Sequence, residues 1–235
     1  TRRHDDVWGD MNARVPLKDL LGNKLSNIPE TVESLTARLQ DIVQFKNGAP
    51  NLSGLEPQTI KDITHSYEKV IEKYPQLKGQ FSTIELKQFK SRVAAMAYPD
   101  GSGRISLNSN YYRNIQDLAN IYKRGVESGF SPANLDYRSV TTHEIGHLIS
   151  YKLPRVVNPL NNRTEGAAFQ IIRKLKEEFN LFYKNDIANG LSKYATKNTQ
   201  EFFAETFAEY MDSPNPRPIA KRFGELLNEW MKDLP

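Results

Sequence analysis

Two of the four histidines in this 235-residue chain stand four positions apart, in the run His143-Glu144-Ile145-Gly146-His147. No other feature constrains the fold as much. At 3.6 residues per turn, positions i and i+4 differ by about 40° of rotation, so on a helix both imidazoles project from one face. The surrounding pattern predicts that helix over about Ser139 to Leu153, closed by Pro154. Two imidazoles so placed can share a tetrahedral metal with nitrogens about 2 Å away, and Glu144, on the neighbouring azimuth, can take a proton from water without being a ligand.

Such a site needs a third protein ligand, and the fold must bring it from elsewhere. The chain has no cysteine, so no disulfide, thiolate ligand or cysteine nucleophile is available. A third histidine in the extended H-E-x-x-H-x-x-G-x-x-H pattern is also ruled out, because the required glycine and histidine positions hold Ser150 and Leu153. Downstream, Gln200-Glu201-Phe202-Phe203-Ala204-Glu205-Thr206-Phe207-Ala208-Glu209 sets a glutamate every four residues along one helical face. Glu201 can supply the missing ligand, and Glu205 can accept the other ring N–H of a ligand histidine and fix its tautomer. Glu209 reads as solvated. A plainer reading of the same stretch is a capped, exposed helix, with Asn198 at the N-cap and Glu201 three residues on. Tyr194, seven residues before Glu201, can donate to an oxyanion that develops beside the metal, or can be a half-buried packing residue.

The rest of the chain reads as mainly helical α+β. Residues 1–28 read as an irregular arm, and 29–235 as one bilobal domain: an N-lobe over about 29–138, the active-site helix at about 139–153, and a C-lobe over about 154–235. Helical spacing appears from Val32 to Val43 and from Ile60 to Tyr74, between Pro57 and Pro75. The period then shortens in Phe81 to Leu86, Arg92 to Tyr98 and Arg104 to Leu107, with a turn cluster at Pro99 to Gly103, which predicts a small, mainly antiparallel sheet containing a hairpin. Helices follow at Tyr111 to Glu127, Thr164 to Lys184 (apolar stripe Phe169, Ile172, Leu175, Phe179), Thr199 to Met211 and Pro218 to Leu234. The only β signal lies before Ser139.

Thirty-two basic against twenty-eight acidic residues give a net charge of +4, scattered along the chain, which argues against a nucleic-acid partner. No apolar run approaches the roughly 18 residues of a membrane span, and the charged start is no signal peptide. A first residue other than Met is what a processed chain, or a piece of a longer polypeptide, would have.

His143-Glu144-Ile145-Gly146-His147, Tyr194 and Glu201-Phe202-Phe203-Ala204-Glu205, in that order and spacing, resemble the gluzincin metallopeptidases of the anthrax lethal factor catalytic-domain type. The pattern is also similar to metallopeptidase-like domains of phage head-morphogenesis polypeptides and large bacterial toxins, and to Pro-Pro endopeptidases. The resemblance covers about residues 139 to 212. It implies a zincin-like fold and one zinc ion on His143, His147 and Glu201. It further implies Glu144 as general base, Tyr194 as oxyanion donor and Glu205 as the group orienting a ligand histidine. A metalloendopeptidase acting on a protein or peptide substrate follows, in a secreted or phage- or toxin-associated setting. The alternative is a structural or binding domain that keeps the zinc site with little or no peptidase activity. In such peptidases a strand edge pairs with the substrate backbone, and Arg104 to Leu107 is the candidate here, as an edge or as an interior strand.

Overall fold

Helix α1 (Val32–Val43) begins where Thr31 and Ser34 exchange side-chain-to-backbone hydrogen bonds, a reciprocal cap, and it turns Leu35, Leu39 and Val43 into the core. In this computed structural model the described residues are 30–158, 160–232 and 234, so the arm expected over 1–28 lies outside them. Helix α2 (Pro57–Lys73) carries its proline in the first turn, where the missing N–H has no partner to lose. It buries Ile60, Ile63, Tyr67 and Val70, and the Tyr67 ring meets Phe45 and Phe81 edge-on at 5.3 and 5.4 Å.

Three short strands follow, β1 (Thr83–Lys87), β2 (Ala95–Ala97) and β3 (Arg104–Asn108), in the spatial order β1-β3-β2. β2 and β3 form the expected antiparallel hairpin, with Ala97 opposite Ile105. β1 runs parallel to β3, with Ile84 opposite Ile105, so the sheet is mixed where an antiparallel one is expected. Alternation of side chains is the same for either strand direction. The chain between Lys87 and Ala95 lets β2 skip one place, and the hairpin then inserts β3 beside β1. Arg104 to Leu107 is therefore interior, and among the described residues the sheet's edges are β1 and β2.

The single helix expected from Tyr111 is two, α3 (Ser109–Tyr112) and α4 (Ile115–Glu127), broken where Asn114 leaves helical backbone angles. Helix α5 (Ser139–Lys152) is the centre of the molecule. From Thr141 to Ser150 every residue is buried, with the sheet and α2 on one side and α8 (Thr199–Asp212) on the other.

After α5 the chain forms a second sheet, the antiparallel hairpin β4 (Arg155–Val157) and β5 (Thr164–Gly166), where no β signal is expected. Thr164 to Gly166 thus belongs to a strand. The helix expected over Thr164 to Lys184 is instead α6 (Ala167–Glu178), and Lys184 opens α7 (Lys184–Gly190). This moves the apolar stripe onto Ala168, Ile171, Ile172 and Leu175 and leaves Phe169 40% exposed. Helices α8 and α9 (Pro218–Met231) start where the sequence places them, and Phe223 of α9 packs edge-on against Phe203 at 4.8 Å. The architecture is α+β and mainly helical.

Candidate metal centre

Buried on all sides, α5 needs a close partner, and Gly146 provides the room for one. A Cβ there would lie 2.9 Å from the ring of Phe207, so only a hydrogen lets α8 approach this near. At that separation α8 turns Glu201, Glu205 and Glu209 inward, all three buried. Asn198 caps the helix by accepting the Glu201 N–H at 2.8 Å. The Glu201 side chain does not fold back to complete a capping box; it reaches α5.

His143 Nε2 lies 3.2 Å and His147 Nε2 3.0 Å from the same atom, Glu201 Oε2. The three residues present their ligand atoms within 4.8 Å of one another. Atoms bound about 2.0–2.1 Å from a tetrahedral ion are about 3.3 Å apart, so the spacing fits one. The chemistry of the donor set fits as well. His143 Nδ1 is 2.8 Å from Glu205 Oε1, and donation of that N–H leaves Nε2 with a lone pair facing an anionic oxygen. Only a cation between them, a proton or a metal, makes that arrangement favourable.

The electrostatics agree. Burial alone would lower the pKa of His143, but Glu201, Glu205 and Glu144 around it raise it to about 10. Burial opposes ionisation of Glu201, yet the two imidazoles hold its carboxyl well below the usual carboxylate range. His147 Nδ1, by contrast, is buried without a partner among the described residues.

The remaining residues expected at the site surround this trio. Glu144 is buried next to His143 and is not among the converging ligands; its Oε2 accepts the Ala97 N–H of edge strand β2 at 2.6 Å. Tyr194 is half-buried. Its hydroxyl donates to Glu201 Oε1 at 3.0 Å, and its ring lies 5.9 Å from that of His143. Burial and the Glu201 charge push the phenol above its ordinary range, so it keeps its proton and remains a donor. Its backbone is held by donation of the Tyr194 N–H to Phe130 O at 3.0 Å, and the two rings pack at 5.1 Å.

Four contributors escape a reading of the sequence. Lys197 Nζ sits 3.1 Å from Glu201 Oε1, reaching it from before the extended Asn198 cap rather than from the helix that carries Glu201. Tyr151 stacks on His147 with ring centroids 6.1 Å apart, at i,i+4. Ser192 donates to Glu205 Oε2 at 2.8 Å, and no local pattern announces it. Glu209, expected to be solvated, is 1% exposed and paired with Arg217, because the face of α8 turned to α5 continues through a third turn.

An apolar cleft of about 360 Å³ opens beside His143, Glu144 and Tyr194, walled by Leu118, Ile121, Phe130 and Val140. A larger one of about 620 Å³, lined by Asp62, Lys123 and Arg138, shares none of these residues. No described helix is long and apolar enough to cross a membrane.

Compared with known proteins, residues 114–233 match the family described as anthrax toxin lethal factor, N- and C-terminal domain. No curated protein and no solved structure matches the chain. The matched stretch runs from the start of α4 through α9 and holds the whole His-His-Glu cluster, a possible metal site compatible with a zinc metallopeptidase. It spans just over half of the 235 residues, and the chain belongs to the anthrax toxin lethal factor N- and C-terminal domain family.

Proposed function

We propose that the chain is a zinc-dependent metalloendopeptidase of the gluzincin kind, with a toxin-associated or secreted setting to match its family. The observation that carries this reading is the convergence of His143 Nε2 and His147 Nε2 on Glu201 Oε2, with the Glu144 carboxylate beside them and outside the ligand set. In this reading residues 29–235 act as one bilobal domain, because Ala97 comes from before α5 and Glu201 from after it.

His143, His147 and Glu201 would hold the zinc, and Glu205 would fix the His143 tautomer. When bound, zinc supplies a Lewis acid that polarises a scissile carbonyl and lowers the pKa of water toward about 7. Glu144 accepts the proton of the attacking water and delivers it to the departing amine. The Ala97 N–H keeps one Glu144 oxygen in place during both transfers. Tyr194 is a protonated donor near the ligands, suited to the oxyanion that forms at the attacked carbon. When its hydroxyl turns to substrate, Lys197 remains on Glu201 Oε1, so that buried oxygen is not left without a partner. Edge strand β2, tied to Glu144 through Ala97, is the element suited to pair with an extended peptide, in place of interior Arg104 to Leu107.

The test is a peptide-library digest with Glu144→Gln. This variant should bind zinc at the parent's stoichiometry and produce no new termini, while the parent's new termini vanish on chelation. Cleavage by Glu144→Gln at the parent's rate would overturn the assignment of the base. A parent that binds zinc but leaves the library intact would favour the binding-domain alternative.

A further inference from the structure

Behind the histidine pair lies one buried hydroxyl with no part in the chemistry above. Ser192 is 1% exposed. Its Oγ is 2.8 Å from Glu205 Oε2 and accepts the Ala195 N–H at 3.1 Å. Glu205 turns its other oxygen to His143 Nδ1 at 2.8 Å. A hydroxyl has a single proton and a carboxylate only accepts, so the chain runs one way: Ala195 N–H to Ser192, Ser192 O–H to Glu205 Oε2, and His143 N–H to Glu205 Oε1.

We infer that Ser192 is a positioning residue of the metal centre, acting through Glu205 on the orientation of His143. The inference rests on reading His143, His147 and Glu201 as metal ligands. Glu205 is 5% exposed, and Ser192 supplies a buried donor for its second oxygen. Losing that donor leaves the carboxylate anchored at one end only. Its hold on the His143 ring loosens accordingly. His143 is the ligand whose outer nitrogen the protein grips, since His147 Nδ1 has no partner among the described residues.

Ser192 can act this way because its own position is fixed from three directions. Leu191 O accepts Arg217 Nη2 at 2.9 Å, Lys193 N–H donates to Gly129 O at 2.9 Å, and Tyr194 N–H donates to Phe130 O. The hydroxyl also accepts the N–H of Ala195 inside the turn Tyr194–Thr196. One side chain therefore sets both the back of a ligand histidine and the segment that carries Tyr194.

The experiment is zinc affinity by chelator competition for the parent, Ser192→Ala, Glu205→Ala and the double variant. Outer partners of metal ligands are worth about 10–100-fold in affinity, and Ser192→Ala should lose about tenfold, the low end, because it acts one bond further out. Added to Glu205→Ala, which removes both side-chain contacts, it should cost little more, since its route is already cut; a purely structural role would add in full. Affinity equal to the parent, whatever happens to the melting temperature, overturns the inference, as does full additivity. Should Ser192→Ala fail to fold, Ser192→Cys keeps the volume with a weaker donor and is read against the same outcomes. A parent that takes up no zinc overturns the metal-site reading itself, a result distinct from either.

Discussion

Arg217→Met should cost the protein several degrees of thermal stability and loosen its candidate metal centre. Glu209 accepts the Arg217 backbone N–H at 2.9 Å and the guanidinium Nε at 2.9 and 3.1 Å, and Nη2 also donates to Leu191 O. Methionine keeps an apolar stem of similar reach and removes every side-chain donor. Two buried oxygens then share one backbone N–H. Breaking a buried ion pair from one side costs about 3–5 kcal/mol. Arg217 is itself 28% exposed, and the backbone N–H survives, so the low end, about 3 kcal/mol, applies. In chains of this size each kcal/mol moves the midpoint by about 2–4 °C, so Arg217→Met should melt about 6–12 °C below the parent in a circular dichroism scan of the zinc-free protein. Adding Glu209→Leu removes the stranded charge, and a buried pair replaced by apolar groups is often neutral, so the double variant should recover most of the loss. A single variant within about 2 °C of the parent, less than 1 kcal/mol, would refute the argument. So would a double variant no better than the single. Freed from Arg217, the Leu191 carbonyl no longer fixes the residue before Ser192, so zinc affinity should drop alongside stability.

Gly146→Ala gains about 0.8–1 kcal/mol in helix propensity but drives a methyl against the fully buried Phe207, and overpacking costs about 1–3 kcal/mol. Urea melts should show net destabilisation; a more stable variant would mean that α5 and α8 need no such close approach. The pH dependence of the zinc-free protein has a determined sign. His143, raised to about 10, contributes stability in full below its ordinary 6.5 and loses it as pH rises toward 10, whereas Glu201, depressed below its ordinary 4.5, loses its share only in stronger acid. The melting temperature without metal should therefore fall between pH 6.5 and 10, and the increment from saturating zinc, which needs His143 neutral, should grow over the same range. A zinc increment independent of pH would show that no proton is displaced.

What the sequence made legible was whatever depends on local spacing. The geometry of α5, the cap at Asn198, and the starts of α8 and α9 rest on residues within one turn of each other. The order of strands does not, because side-chain alternation is blind to direction and β3 lies beside β1 through a connection that could have closed either way. Thr164-Glu165-Gly166 reads as the first turn of the helix whose apolar stripe begins at Phe169, but those three residues pair with Arg155 to Val157 instead. At the site, the trio and Glu205 were visible as a pattern. Ser192 and Arg217 were not, since each owes its role to a backbone brought from another element. Glu209 was misjudged because a glutamate at i+4 from another looks solvated unless the third turn is known to be covered.

The three glutamates of α8 have the same chemistry and nearly the same azimuth, drifting about 40° per step. What faces each one decides its task. Glu201 meets two imidazoles, Tyr194 and Lys197; Glu205 meets His143 and Ser192; Glu209 meets Arg217. With Glu144 they place four formal negative charges in the interior, and among the described residues only Lys197 and Arg217 bring permanent cations within hydrogen-bonding reach of them. Uncompensated buried charge is expensive, and a proton on His143 offsets only one of the two left over. A divalent ion between His143, His147 and Glu201 would offset both, which is a reason, independent of ligand spacing, why the interior of this protein suits a metal.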